Sequence, residues 1–346
     1  MEMKNWLEAK TSNDDIVLSS RIRLARNIKN TPFPNKLNEY DGRDVVNKIE
    51  EAIYSSPYTE EKFKTIYLWQ NDDTANYSYL ERHLISNKLI SNKNQSAFIL
   101  DQDEIGSIMI NEEDHLRLQS ITGGLNLKEA LEHIDKLDDL LEEKLEYAFD
   151  EKLGYLTACP TNIGTGLRAS AMVHLPALTI NKEIVGLLNA LTQVGMTIRG
   201  LYGEGSQAEG NLYQISNQIT LGLTEEEILS NLTGVINQII SRENLARERM
   251  LSKNKYEIED KIYRSIGILK SAIVLGDKEA LNLLSNVRLG VELGIIKDVD
   301  KNSLNKLLID IQPATLQKLL ESKFLDREID INRANLVKER LKNVQL

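Results

Sequence analysis

The chain has 346 residues, of which 41% are hydrophobic and 27% charged, and its 42 basic and 52 acidic side chains give a formal net charge of −10. This length predicts two or three domains, and the composition is that of an ordinary globular protein. The acidic balance argues against sequence-independent nucleic-acid binding, which requires a basic face. We therefore expect no nucleic-acid partner.

The sequence also argues against a membrane protein, a disulfide-bonded protein and a metalloprotein. It contains no apolar run of 18 residues and no signal-peptide segment, so we expect no membrane association and a cytoplasmic location. The single cysteine, Cys159, excludes an intrachain disulfide and a multi-cysteine metal site. The four histidines lack metal-ligand spacing, so no directly bound metal is predicted.

Short runs rich in β-branched and aromatic residues predict strands in the first two thirds of the chain. In chain order these predicted strands are Lys64–Trp69, Ser96–Leu100, Ser107–Asn111, His115–Ile121, Tyr155–Ala158 and Asn211–Thr220. The second, third and fourth runs are separated by short gaps, which favours antiparallel neighbours in one sheet.

Helical periodicity dominates the remaining segments. Residues 127–149 place apolar side chains at helical spacing with acids between them, and the TEEE sequence at 224–227 is a capping box that opens a helix over 225–240. From Tyr256 onward the pattern is helical throughout. The sequence thus predicts an α+β domain with an antiparallel sheet over 1–252, followed by a small all-α domain over 253–346.

Four segments place arginine beside glycine, serine or acidic residues. The first is SSRIRLAR at 19–26. In a strand, Arg21 and Arg23 would project from one face, and Ile22 and Leu24 from the other. Two guanidinium groups on one face suit a polyphosphate, although a solvated strand face would show the same pattern.

The other three segments admit similar pairs of interpretations. NEEDHLR at 111–117 is either a solvated hairpin turn or a site for a metal or a cationic substrate. CPTNIGTGLRASAM at 159–172 has a glycine turn whose amides can bind an anion, and its Cys159 is either a nucleophile or a packed thiol. RGLYGEGSQAEG at 199–210 is either a surface loop or a loop that closes over a ligand.

Taken together, the order and spacing of these four segments resemble the guanidino (phosphagen) kinases. NEEDHLR and CPTNxGTxxRAS are highly specific strings of that family, and the resemblance is strongest over residues 14–224. The chain lacks room for the N-terminal helical domain of creatine and arginine kinases. Its helical C-terminal region makes it similar to the bacterial members that phosphorylate arginine in proteins.

The resemblance implies a glutamine-synthetase-like catalytic fold, an antiparallel sheet flanked by helices, and transfer of the γ-phosphoryl group of Mg-ATP to an arginine side chain of a protein. Glu113 would bind the acceptor guanidinium and take its proton, and Cys159 would help to position it. The implied catalytic residues are Glu113, Arg117, Cys159, Arg168 and Gln207. The implied ATP-binding residues are Ser19, Ser20, Arg21, Ile22, Arg23, His83, Arg117, Arg168, Ala169, Ser170, Ala171, Met172, Arg199, Gly200, Leu201, Tyr202, Gly203 and Glu204.

Two departures from the family pattern bear on activity. Gln207 stands where the family has a second glutamate, and an amide can accept a hydrogen bond from a guanidinium but cannot neutralise it. Glu209, two residues on, is a possible substitute. Tyr202 stands where kinases of small guanidino compounds have a phosphate-binding arginine, which favours a protein substrate.

The C-terminal region resembles a phosphoarginine-binding domain with an Arg-Asp-x-x-Arg-Ala motif. Asp330, Arg333 and Ala334 match this motif, whereas Ile329 replaces its first arginine and Arg327 is a possible stand-in. The resemblance further implies arginine-containing protein substrates, a McsA-like activator, a Clp ATPase that receives the marked proteins in the stress response, and a homodimer. Two alternatives remain open: a phosphoarginine-binding adaptor with little or no kinase activity, and a kinase of free arginine.

Overall fold

A computed structural model describes residues 5–8, 16–200, 208–297 and 299–344 of the chain. Its strands are β1 (Val17–Arg26), β2 (Phe63–Tyr67), β3 (Ala97–Asp101), β4 (Gly106–Ile110), β5 (Leu116–Gly123), β6 (Phe149–Asp150), β7 (Gly154–Tyr155), β8 (Leu167–His174), β9 (Met196–Gly200) and β10 (Leu212–Asn217). Its α-helices are α1 (Glu39–Ile53), α2 (Pro57–Lys62), α3 (Asp73–Glu81), α4 (Asn87–Ser91), α5 (Leu127–Glu142), α6 (Pro176–Ile180), α7 (Ile184–Gln193), α8 (Glu225–Lys253), α9 (Lys255–Ser271), α10 (Asp277–Glu292), α11 (Lys301–Asp310), α12 (Pro313–Leu319) and α13 (Asp326–Arg340).

Eight of the strands form one sheet in the order β2-β3-β4-β5-β1-β8-β10-β9, and β6 pairs with β7 separately. The pairs from β2 to β1 are antiparallel, as the short gaps between the predicted strands indicated. Every residue of β3 and β4 is buried, which explains their nearly continuous apolar sequences.

The chain divides into two compact units. Unit 1 holds the described residues in 5–8, 19–170 and 216–233, and unit 2 holds those in 16–18, 171–215 and 234–344. In the part of the chain that the structure describes after β10, the secondary structure is helical, from α8 to α13. None of the described helices is long and apolar enough to cross a membrane.

Strand β1 shows the side-chain alternation that its sequence predicts. Ile22 and Leu24 are completely buried, whereas Arg21 and Arg23 keep part of their surface accessible. The antiparallel register with β5 sets Arg23 opposite Gln119 and Ala25 opposite Arg117. Because alternate residues of a strand share a face, Arg21, Arg23 and Arg117 lie on the same face of the sheet.

The first predicted helix, over 127–149, is wrong at its C-terminal end, because α5 stops at Glu142. Residues 146–148 instead run beside the end of β1, where Lys29 N donates to Glu146 O at 2.8 Å and Ala148 N donates to Asn27 O at 2.7 Å. The capping box is confirmed: Thr224 N donates to Glu227 Oε2 at 2.8 Å, and Glu227 N donates to Thr224 Oγ1 at 3.2 Å. The helix that it opens continues to Lys253.

The strand prediction over 155–158 is also wrong in extent, because β7 contains only Gly154 and Tyr155. Three strands, β6, β8 and β9, were not predicted. Strand β8 has the sequence LRASAMVH and is buried at every residue except Arg168, so it lacks the polar alternation that marks a half-exposed strand. His174 is the last residue of this strand and is completely buried.

Candidate active site

Four arginines of unit 1 form one electrostatically coupled group. Burial, followed by the charges of Arg117 and Arg168, lowers the pKa of Arg21 to about 10. Burial also lowers the pKa of Arg23 well below its ordinary value, and the charges of Arg21, Arg117 and Arg168 add to this effect. We call these four residues the arginine cluster. Its concentrated positive charge is suited to an anionic ligand.

One buried atom of the arginine cluster supports this interpretation. Arg23 Nε is shielded from solvent and, within the described residues, has no hydrogen-bond partner. Buried guanidinium N–H groups are normally paired, so a lone one favours a bound acceptor such as a phosphate oxygen. The donor chemistry therefore fits the polyphosphate of ATP.

The turn between β4 and β5 contains the three consecutive acids, and the first of them positions an arginine. Glu112 is only 2% exposed. Its Oε1 accepts from Arg117 Nη1 at 2.6 Å and from Ser86 Oγ at 2.5 Å. Burial alone would raise the pKa of Glu112, but the charge of Arg117 and these hydrogen bonds outweigh it and lower the pKa. Glu112 therefore remains ionised and holds Arg117 in place.

The third acid of the turn fixes the surrounding backbone. Asp114 Oδ1 accepts from Asn27 Nδ2 and from Ala158 N, both at 2.6 Å. Burial raises the pKa of Asp114, although both hydrogen bonds oppose that change. The adjacent His115 accepts from Ile28 N at 3.1 Å, and burial lowers its pKa to about 4, so it is neutral at pH 7. These bonds join the turn to the end of β1 and to the segment that carries Cys159.

Glu113, between these two buried acids, has an exposed side chain. Within the described residues its carboxylate has no hydrogen-bond or ion-pair partner, whereas the carboxylates of Glu112 and Asp114 are both bonded to protein donors. Of the three acids in this turn, Glu113 is therefore the one with a carboxylate available to a cationic ligand. The Asp114–Ala158 bond brings Cys159 to the same side of the site.

The segment after Cys159 needs a glycine because it packs closely against β1. Cys159 is half-buried, and its Sγ lies 3.1 Å from Thr161 Oγ1. Gly166 has a φ of 66°, and a Cβ there would lie 2.7 Å from both Ala25 O and Arg26 Nη1. The turn therefore needs glycine to approach β1 closely, so anion binding is not required to account for it.

His83 lies beside the arginine face of the sheet, because Gln119 Nε2 donates to His83 O at 2.9 Å. Burial, with a contribution from the charge of Arg21, lowers the pKa of His83 to about 3. The imidazole is therefore neutral at pH 7 and can contact a nucleotide without adding charge.

Most of the other predicted nucleotide residues, which lie on β1 and β8, are buried or bonded within the fold. Ser19 and Ile22 are buried in β1, and Ser20 Oγ donates to Gly124 O at 2.7 Å. Arg168 Nη2 donates to Ser216 Oγ at 3.2 Å. The neighbours of Arg168 in β8, which are all buried, are Ala169, Ser170, Ala171 and Met172. These residues form the strands that carry the arginines.

Arg199 and Gly200 end β9 in unit 2, where Arg199 is exposed. Five further predicted residues lie outside the described residues: Leu201, Tyr202, Gly203, Glu204 and Gln207. Glu209, the possible substitute for Gln207, has its carboxylate engaged in unit 2, because Asn282 Nδ2 donates to Glu209 Oε2 at 2.9 Å.

In the C-terminal motif, Arg333 is buried and bonded to the protein itself. Its Nε donates to Ile311 O and its Nη1 to Leu275 O, both at 2.8 Å, and Nη1 also pairs with Asp330. Ala334 is fully buried, and Arg327 is exposed. Arg333 thus ties α13 to the residues preceding α10 and following α11.

The residues that hold the acidic turn and His83 in place are not marked by the sequence. Asn27, Ser86 and Gln119 hold the acid turn and His83, but each lies far along the chain from most of its partners. No local pattern marks such residues. Ser86 is marked only as the N-cap of the short helix α4.

Two family models match the chain in succession. Residues 44–246 match the ATP:guanido phosphotransferase C-terminal catalytic domain, and residues 255–346 match the protein-arginine kinase McsB C-terminal domain. Among solved structures, a lombricine kinase superposes with a TM-score of 0.59 at 26% identity, covering 70% of this chain and 71% of that one. The duplicated taurocyamine kinase of Schistosoma mansoni, at 21% identity and a TM-score of 0.60, covers 78% of this chain and 41% of that one and shares the fold.

Curated relatives match over nearly their whole length. The protein-arginine kinase of Clostridium novyi (strain NT) is 62% identical over 344 residues, covering 99% of this chain and 100% of that protein. That of Clostridium acetobutylicum is 60% identical over 340 residues, covering 98% and 100%. The predicted α+β fold and the predicted membership of the guanidino kinases are confirmed. The chain belongs to the protein-arginine kinase family, ATP-using phosphotransferases that combine a guanido phosphotransferase catalytic domain with a McsB C-terminal domain.

Proposed function

We propose that this chain phosphorylates arginine side chains of proteins, with Glu113, Arg117, Arg168 and Cys159 as catalytic residues. The observation that carries the proposal is the exposed Glu113 carboxylate, held in one turn with the Glu112–Arg117 ion pair. A carboxylate for the cationic acceptor thus adjoins a cationic site for the phosphates of the donor. Gln207 would contribute a hydrogen bond to the guanidinium.

The proposed reaction proceeds in one transfer. The arginine cluster orients the nucleotide and stabilises the charge on the transferred group, while Glu113 orients the acceptor nitrogen and takes its proton. The bond from the γ-phosphorus to the bridging oxygen breaks, a P–N bond forms, and ADP leaves. Mg²⁺ would be held by the phosphates, because the carboxylates of Glu112 and Asp114 are already bonded to protein donors.

Five further features of the protein are proposed because it resembles its family. They are a boundary between domains 1–252 and 253–346, a McsA-like activator, a Clp ATPase that receives the products in the stress response, a homodimer and a cytoplasmic location. The boundary is supported by the two family matches, which end at residue 246 and begin at residue 255.

The direct test is to incubate the protein with Mg-ATP, labelled at the γ-phosphate, and an unfolded arginine-containing protein, with free arginine as a parallel acceptor. We expect label on the protein that is lost in mild acid, because the P–N bond is acid-labile whereas serine and threonine esters survive. Label on free arginine alone would instead indicate a metabolic kinase. Nucleotide binding without transfer to either acceptor would favour the adaptor.

We further propose that Asp330, Arg333 and Ala334 contribute to a phosphoarginine site in the C-terminal domain. Arg333 already donates to two backbone carbonyls and pairs with Asp330, so a bound phosphate would compete with bonds inside the fold. We therefore expect weak but saturable binding of phosphoarginine in a calorimetric titration. Binding that never saturates, or that is unchanged in Asp330→Asn, would contradict this site.

A further inference from the structure

A surface groove of about 450 Å³ lies beside the Cys159 segment, entirely within unit 1. Its walls are the β6–β7 hairpin, the glycine turn before β8 and the residues that lead into α8. Three apolar side chains line it while remaining exposed: Phe149 at 58%, Leu153 at 45% and Leu221 at 51%. Clustered apolar exposure of this kind marks a surface that binds a partner.

Backbone contacts build the groove, so its shape does not depend on a ligand. Tyr155 N donates to Gly164 O at 2.9 Å. Gly154 and Gly164 both have positive φ, and a Cβ on Gly154 would lie 2.4 Å from Gly164 O. A Cβ on Gly164 would lie 2.5 Å from Thr220 O. The three segments therefore meet through backbone atoms that leave no room for side chains.

One wall of the groove is hydrogen-bonded to the segment that follows Cys159. Thr220, which lines it, has Oγ1 at 3.0 Å from Thr161 O and 2.7 Å from Ile163 O. The same turn brings Thr161 Oγ1 to 3.1 Å from Cys159 Sγ. Thr161 thus contacts both Thr220 in the wall of the groove and Cys159 of the candidate active site.

The surroundings of the groove are acidic. Glu225 lines it, and Asp150 and Glu151 are exposed in the hairpin that forms one wall. Lys152 is the basic side chain among the described lining residues. Arg26 stacks 3.5 Å from the ring centre of Tyr155, but its guanidinium is buried and paired with Asp138 at 2.7 Å. The accessible charge around the groove is therefore predominantly negative.

We propose that this groove binds the part of an unfolded protein substrate that flanks the acceptor arginine, and that it selects apolar and basic side chains there. The inference rests on the proposed function, since it requires a polypeptide acceptor. Apolar flanking side chains would cover Phe149 and Leu221, and basic ones would lie against the acidic rim. An unfolded, cationic segment offers both at once, whereas a folded protein buries its apolar side chains.

The test compares a long and a minimal acceptor. The groove variant is Phe149→Ser with Leu221→Ser, and its matched control is Tyr40→Ser with Tyr58→Ser, which removes two exposed aromatic side chains from α1 and α2 of the same unit. The acceptors are reduced, carboxymethylated lysozyme and N-acetyl-Gly-Arg-Gly-amide. For the groove variant we expect KM for the unfolded protein to rise about tenfold, with kcat and the tripeptide kinetics unchanged.

A pair of peptides provides a second readout, because each enzyme's preference is measured between two acceptors. Wild type should phosphorylate an arginine flanked by leucine and lysine with a KM about tenfold below that for one flanked by serine and glutamate, and the groove variant should lose this preference. Equal KM values for the groove variant and the control would overturn the groove while leaving the proposed function intact. A loss of tripeptide activity in the groove variant would also overturn the groove. A change of the variant's mass in light scattering would overturn it as well, because it would indicate that the groove is an interface between copies of the chain. Wild type that labels neither acceptor would remove the proposed function and the groove with it.

Discussion

Replacing Glu113 by glutamine is expected to lower kcat for phosphoryl transfer by about 10²–10⁴-fold. The acceptor guanidinium has a pKa of roughly 12.5–13.8 and must lose a proton as the P–N bond forms. An amide can hydrogen-bond to it but cannot take the proton. Because the Glu113 side chain is exposed and unpartnered among the described residues, the change should leave nucleotide affinity and Tm at their wild-type values.

Single-turnover phosphoryl transfer, with nucleotide binding measured separately, checks this result. Glu143→Gln is the matched control, because Glu143 is also exposed, at the end of α5, and should change nothing. Glu112→Gln should behave differently from both. It removes the charge that pairs with Arg117, so it should lower Tm as well as kcat. A Glu113→Gln enzyme that keeps more than about a tenth of wild-type kcat would assign proton removal to another group.

The parts of the site that sequence alone could predict are those encoded by short spacings. The alternation of Arg21 and Arg23 with Ile22 and Leu24 predicts a strand with one basic face, and β1 has that geometry. The antiparallel core strands could be predicted for the same reason, because neighbouring strands are joined by short turns. Local patterns suffice where the interacting residues are close in sequence.

The remaining features depend on distant contacts or on complete burial. Three adjacent acids look equivalent in the sequence, yet Glu112 and Asp114 are buried and bonded while Glu113 is exposed, because Arg117, Ser86 and Asn27 approach only in the fold. Strand β8 was not predicted because its sequence, LRASAMVH, shows no alternation and, unlike the equally buried β3 and β4, contains few β-branched or aromatic residues. Residues 146–148 fall inside the predicted helix over 127–149 because the backbone that they pair with, at Asn27–Lys29, lies far earlier in the chain.

Replacing Arg23 by methionine should have opposite effects on activity and stability. Loss of one charged donor from the phosphate site should lower the rate of transfer by about 10²–10³-fold and weaken ATP binding. However, burial and the charges of the other three arginines lower the pKa of Arg23. The charge of Arg23 therefore destabilises the folded protein when no ligand is bound. Methionine removes the charge and fills similar space, so the nucleotide-free protein should gain about 1–2 kcal/mol in free energy of unfolding.

That gain should raise Tm by roughly 2–4 °C per kcal/mol in the absence of nucleotide, measured by calorimetry. Saturating Mg-ATP should raise the Tm of the wild type by more than that of the variant, because ligand binding stabilises the folded state in proportion to affinity. Arg242→Met is the control, because Arg242 is an exposed arginine of α8. This variant should have the Tm and the activity of the wild type. A lower Tm for Arg23→Met would mean that bonds within the protein, rather than a bound polyphosphate, offset the charge of Arg23. The arginine cluster would then be a structural feature, and the site of the donor phosphates would have to be sought elsewhere in the fold.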